Sequence, residues 1–258
     1  MDVKTAARTI DLFEAFAEHR RPLTLTELAR ALAIPASSCL GLVRTLAGRG
    51  YLYEIQRRNG FYPTGRLYAR ASIIAAHDPL LERVRPTLEA LRDATAESVV
   101  FGKMKETRIL YLDYVPSPQS VRYIAEAGDM RPPHANSLGK AILGAMDRAD
   151  RLALLSKIDW QRFTSRTAKD LAALEADLDA SRERGWYANL GESIADLGAI
   201  ASPVRVGGEW FAVSVVGPLN RIEASIVRHA LHLCAARDAL DAVFGADGAM
   251  TLPSGPET

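Results

Sequence analysis

The chain has 258 residues, 48% of them hydrophobic and 24% charged, a soluble globular composition with room for one large domain or two ordinary ones. The formal net charge of +1 is uneven: residues 1–66 hold ten Lys or Arg against six Asp or Glu, a net of +4, which leaves the other 192 at −3, so basicity is local to the N-terminal quarter. Two cysteines, Cys39 and Cys234, exclude a disulfide framework, and the lack of a signal-like start or of roughly 18 uninterrupted apolar residues excludes a helical membrane span; a cytoplasmic protein is expected.

Residues 6–16 repeat apolar side chains at three and four, with Ile10, Phe13 and Ala17 on the predicted inner face of a first helix and Leu12 and Phe16 beside them. Leu25, Leu28, Ala29 and Leu32 then define a short second helix, with Thr26 and Glu27 where an N-cap and a first-turn acid belong. Pro35 ends it and opens a third helix whose apolar face is Leu42, Val43 and Leu46, closed by Gly48 and Gly50. Two short helices across a tight turn form a helix-turn-helix, whose second helix enters a DNA major groove. Strands over 51–55 and 61–63, joined through Asn59-Gly60, predict a wing tipped by Arg57 and Arg58, placed to meet phosphate or the minor groove.

Residues 66–76 predict a linker helix through Leu67, Ala71 and Ile74, and residues 80–95 another through Leu81, Val84, Leu88 and Leu91, with the break at His77-Asp78-Pro79 near a domain boundary. Thereafter β-branched and aromatic runs predict strands over 99–103, 109–115, 121–127, 200–206 and 210–216, the last two joined at Gly207-Gly208. Helices are expected over 137–145, 148–155 and 170–183, the last with Thr167 and Asp170 as a capping box and Leu171, Leu174 and Leu178 inward, and a final helix over 223–244. The fold class is α+β: a winged helix-turn-helix (1–65), a linker helix (66–79), a mainly antiparallel α/β domain (80–248) and a disordered tail (249–258).

Three stretches give this chain a resemblance to the IclR family of bacterial transcription regulators: LAGRGYLYEI at 46–55, PPHANSLGKAILGA at 132–145 and ANLGESIADLGAIASPVRVGGEWFAVSVVGPLNRI at 188–222. The resemblance spans nearly the whole chain and implies an N-terminal DNA-binding domain, a linker helix that helps dimerise, and a GAF-like C-terminal domain that binds a small-molecule effector, in a homodimer or homotetramer. It puts Ser37, Ser38, Gly41 and Arg44 on the exposed side of the recognition helix, which with Thr26, Arg57 and Arg58 make the candidate DNA-binding set. Where the family often has basic side chains this chain has Ala36 and Gly41. It also implies an effector pocket around Asn136, Ser137 and Leu138, with Asn189 and Glu192 on one wall and Ala199 behind; many relatives carry an acid and a cysteine in place of Asn189 and Ala199.

Elementary chemistry agrees with that location. The backbone N–H groups opening the helix at 137 would favour a carboxylate, Asn136 and Ser137 add donors, and Tyr111 and Tyr123 on adjacent predicted strands offer an apolar wall suited to an aromatic or other organic acid. Nothing in the sequence stands out as an enzyme's nucleophile and base, paired carboxylates or metal cluster. His229, His232 and Cys234 read as a helix face, Glu192 and Asp196 as a solvated loop, and Lys140 lacks a phosphate loop's upstream glycine. No cofactor or metal is expected. The favoured reading is a ligand-responsive regulator whose partners are an operator duplex and a carboxylic acid; the alternative is a GAF-like sensor or enzyme with a non-functional winged domain.

Overall fold

The computed structural model describes residues 3–56 and 60–245, and the chain divides after Asp78 into two compact units. Arg57 and Arg58, expected at the wing tip, and the tail at 249–258 lie outside the described residues. No single described helix is long and apolar enough to cross a membrane.

The first unit runs α1 (Lys4–His19), α2 (Leu25–Ala31), α3 (Ala36–Gly48), β1 (Leu52–Gln56), β2 (Gly60–Pro63) and α4 (Gly65–Ala76). Its core joins Leu12 and Phe16 of α1 to Leu28, Cys39, Val43, Leu46 and Leu52. The buried stripe of α1 is Leu12–Ala15–Phe16; Ile10 and Ala17, expected to face inward, are exposed, because spacing alone left two overlapping helical faces to choose from. The cap of α2 is Thr24, two residues before the expected Thr26: the Thr24 hydroxyl accepts from Glu27 N–H while the Glu27 carboxylate accepts from Thr24 N–H at 2.8 Å, a reciprocal box that Thr26 cannot make. Strands β1 and β2 pair antiparallel as the wing, and Leu23 makes an isolated antiparallel bridge to Phe61. That bridge explains Gly60, whose φ is +108° and where a Cβ would sit 2.8 Å from the Leu23 carbonyl.

The second unit is a six-stranded antiparallel sheet with helices on both faces. Its elements are α5 (Pro79–Thr95), β3 (Ser98–Lys105), β4 (Arg108–Val115), β5 (Met130–Arg131), α6 (Ser137–Ala145), α7 (Arg148–Leu155), α8 (Leu171–Arg184), β6 (Tyr187–Leu190), β7 (Leu197–Val206), β8 (Glu209–Pro218), α9 (Leu219–Ala224) and α10 (Ile226–Gly245). The strand order is β5-β4-β3-β8-β7-β6. Alternation sends Val99, Phe101, Phe211, Val213 and Val215 towards α5 and α10. The other face is lined by smaller residues, Ala199, Ala201, Ala212 and Ser214, and receives α6. Gly139 and Gly144 let that helix seat closely, since a Cβ at either would clash with Pro133 backbone or the Tyr187 ring.

Several expectations need correction here. Residues 121–127 form no strand: their carbonyls are taken by side chains instead of a ladder, Tyr123 C=O accepting from Tyr114 and Ser98 hydroxyls and Val121 C=O from Arg221. The place beside β4 goes to the two-residue β5. Strand β6 was not anticipated. Thr167 takes no part in capping α8; Asp170 alone accepts from Ala173 N–H, while Thr167 holds a loop by accepting from Phe163 and Thr164 N–H and donating to Glu192 C=O. Leu171 is partly exposed rather than inward. The last helix breaks at Ser225 into α9 and α10.

Candidate functional site

On the first unit, α3 turns Cys39, Val43 and Leu46 into the core, which leaves Ser37, Ser38, Gly41 and Arg44 on its exposed side; Thr26 is exposed on α2. Nothing lies within 4 Å of where a Gly41 Cβ would be. Apart from Arg44 that surface is made of small residues, so the helix backbone can approach a groove closely, with one cation to read or anchor. Burial pushes the Cys39 thiol above its ordinary value, as suits a core side chain rather than a reactive one.

In the second unit a cavity of about 360 Å³ lies between the small-residue face of the sheet and the start of α6. That size is ordinary for a small-molecule site. Its floor is Val100, Ala199, Ser214 and Val216 from β3, β7 and β8; Asn136, Ser137 and Leu138 form one wall. Tyr111, Tyr123 and Arg131 close the end towards β5, and Phe163, Ile124 and Ile194 from three separate segments stand around it. The expected set Tyr111, Tyr123, Asn136, Ser137, Leu138, Asn189 and Ala199 is thus brought together.

Polar detail fixes what each group can offer. Asn136 caps α6: its Oδ1 accepts from Leu138 N–H at 3.0 Å and Gly139 N–H at 3.3 Å, so these two donors, expected to meet a carboxylate, are already occupied. The Asn136 amide donates to Tyr111 Oη at 2.8 Å. Burial, reinforced by the neighbouring Tyr123, pushes the Tyr111 phenol well above its usual range and keeps it protonated. Ser137 and Ser214 hydroxyls pair at 3.0 Å on the floor. Asn189 is a bracket, its amide donating to Ala135 C=O at 2.8 Å and Ser193 Oγ at 2.9 Å while its oxygen accepts from Glu192 N–H.

Glu192 is not on the cavity. Its carboxylate pairs at 2.6 Å with Lys140, a buried cation that also donates to Ala188 C=O at 3.0 Å and lies 2.9 Å from Asp177. Burial raises the Glu192 carboxyl above its ordinary value and Lys140 partly offsets this. Lys140 is therefore a buried structural lysine, and Glu192 fixes the turn that carries Asn189 and Ser193. Arg131, Ser193 and Ser214 were missed. Ser214 left a faint signal, a lone hydroxyl in the run Val213–Val216; Arg131 left none, because long-range pairing places it. Among the described residues no group of three or more His, Cys, Asp or Glu could hold a metal.

Comparison with known proteins bears on both units. Residues 5–55 match the family model described as IclR helix-turn-helix domain, and residues 73–240 the one described as bacterial transcriptional regulator IclR C-terminal. The chain is 29% identical over 222 residues to the HTH-type transcriptional regulator BhcR of Paracoccus denitrificans, covering 85% of this chain and 79% of that one. Among solved structures, a transcriptional regulator from Rhodococcus sp. RHA1 superposes with a TM-score of 0.81 at 24% identity, covering 95% of this chain and 99% of that one. An IclR homolog from Microbacterium hydrocarbonoxydans, complexed with 4-hydroxybenzoate, gives 0.77 at 23% identity, covering 94% and 99%.

Proposed function

Because the chain belongs to the IclR family of bacterial transcriptional regulators, we propose that it is a regulator whose winged units grip an operator as a dimer or tetramer, and whose grip is set by a small organic acid in the C-terminal cavity. In this reading residues 1–65 meet DNA, 66–79 connect, and 80–248 bind the acid. The observation that carries it is the cavity: among the described residues lining it, Arg131 is the one charged side chain and no carboxylate is present. A concave, largely apolar site with a single cation selects an apolar body bearing one negative charge. The 4-hydroxybenzoate bound by the Microbacterium relative is an acid of that class.

On the DNA side, Ser37, Ser38, Gly41 and Arg44 enter the groove, Thr26 meets backbone, and Arg57 and Arg58 add phosphate contacts from the wing. Two such heads must match half-sites about 34–36 Å apart or a multiple of it. The acid acts by population shift: it can move operator affinity only by its differential affinity for the two arrangements of the heads. The test is fluorescence anisotropy with the DNA upstream of the protein's own gene, against a salt series and a panel of small carboxylates. Binding should weaken with salt at a log-log slope of about −0.9 per phosphate neutralised, and at least one acid should shift the midpoint. Ala199→Phe, which fills the cavity, should abolish that shift and keep basal DNA binding. A salt-insensitive interaction, or an acid response that survives the filled cavity, overturns the reading.

A further inference from the structure

Resting on that reading of the cavity, we infer that Arg131 is the anchor for the ligand's carboxylate and that the Ser137–Ser214 hydroxyl pair receives a second oxygen at the far end, so that the ligand is a hydroxy- or oxo-substituted carboxylate with an apolar body. The case begins with the first turn of α6. Its Leu138 and Gly139 N–H groups already bond Asn136, so an incoming anion gains neither without displacing the cap. The cation at the β5 end is better placed. Arg131 Nη2 is fixed by Asp129 at 2.7 Å and its guanidinium carbon lies 5.9 Å from the Tyr111 ring centre, so the fork is held in one orientation. Its Nε is buried without a hydrogen-bond partner. A donor left buried and unpaired is costly, and nothing in the protein supplies its acceptor. A guanidinium edge matches the two oxygens of a carboxylate.

The second contact follows from sheet order. Arg131 is on β5 and Ser214 on β8, three strands along the sheet, or roughly 14 Å at about 4.8 Å per strand. Arginine reaches part of that way, and Val100 and Leu138 stand among the apolar lining. Two hydroxyls bonded to each other keep acceptor sites, and Ser214 holds only a long 3.5 Å contact to the Val215 carbonyl besides, so they accommodate a ligand hydroxyl or carbonyl and leave a plain hydrocarbon end with nothing to match their polarity.

The experiment is isothermal titration of the full-length protein with 4-hydroxybenzoate, benzoate, 4-hydroxybenzamide and pyruvate, a shorter oxo acid. 4-Hydroxybenzoate should bind more tightly than benzoate, and pyruvate, whose oxo group adjoins its carboxylate and cannot reach both ends, should bind more weakly than 4-hydroxybenzoate; the benzamide should bind on the order of 10- to 100-fold more weakly than 4-hydroxybenzoate. Arg131→Gln should weaken the preferred acid by a similar factor and erase its advantage over the amide, and Arg131→Lys should restore part of it. Ser214→Ala should narrow the gap between 4-hydroxybenzoate and benzoate and leave the acid–amide gap intact. Circular dichroism confirms that each variant is folded. If the acids bind and Ala199→Phe blocks them, yet Arg131→Gln or the amide makes no difference, the anchor is refuted while the cavity stands. If none binds, or Ala199→Phe does not block binding, the cavity reading falls and this inference with it.

Discussion

Lys140 supplies the sharpest test of how the second unit holds its shape. Its side chain is 2% exposed and its partner Glu192 13%, whereas Asp177 at 38% is screened by solvent and adds little. Lys140→Met removes the cation and leaves Glu192 buried beside a thioether, a change that costs about 3–5 kcal/mol in comparable sites, a large share of the roughly 5–15 kcal/mol that holds a domain. The cost must depend on pH. Burial already raises the Glu192 carboxyl, and losing Lys140 raises it further. A carboxyl with a raised folded pKa penalises the folded state above its unfolded value, about 4.3, and the penalty grows until pH passes the folded value. The variant should therefore lose more stability at pH 7.5 than at pH 4.5. Adding Glu192→Leu should recover most of the loss, since a buried pair replaced by apolar side chains is close to neutral. Trp160, Trp186 and Trp210, the chain's three tryptophans, all lie in the second unit, so urea unfolding followed by tryptophan fluorescence reads it alone. A single substitution costing under about 1 kcal/mol, or an equal cost at both pH values, refutes the argument.

Glu175 gives a pH effect of opposite sign: bonds from the buried Arg151, at 2.7 and 3.1 Å, hold its carboxyl below the ordinary value, so it stabilises the fold above about pH 4.3 and the benefit fades as pH falls through the depressed value. Glu175→Gln should lower stability at pH 7 and flatten the acid limb of a stability–pH curve; a parallel curve would remove Glu175 from the account. Gly60→Ala should destabilise the first unit by about 1–3 kcal/mol, because it forces a positive φ and pushes a methyl at the Leu23 carbonyl. Amide exchange on the wing would show it, and unchanged protection would refute it. Arg44→Ala should cost on the order of 1–3 kcal/mol at the preferred operator and less elsewhere; uniform weakening across sequences would make Arg44 a phosphate contact rather than a base reader.

How far the sequence carried depends on whether a feature is local. The helix pair α2–α3 was legible because its signals, Leu28, Val43, Leu46 and the Pro35 break, lie within a few residues of one another. The cap slipped by two residues because both Thr24 and Thr26 precede apolar positions and only the return bond to Glu27 chooses between them. Val121 and Ile124 read as strand by composition, yet both are exposed and their stretch is held by side chains from β3, β4 and α9, which no local pattern encodes. The cavity divides the same way. Asn136 and Ser137 announced themselves as a cap and helix start, while Arg131 and Ser214 reach it through strand pairing. Glu192 misled because its neighbours Asn189 and Ser193 do face the cavity while its own carboxylate turns back to Lys140.

The amide of Asn136 has one further consequence. Because its oxygen must face the helix to cap it, its nitrogen must face Tyr111, and that phenol oxygen is obliged to accept. The Tyr111 proton then points elsewhere, to Tyr123 or to whatever fills the chamber. If Tyr123 takes it, the proton of Tyr123 is passed outward in turn. Either way the row terminates in a hydrogen rather than a lone pair. The folding requirement of a helix end thus sets the polarity felt by a guest, and it does so before any guest arrives.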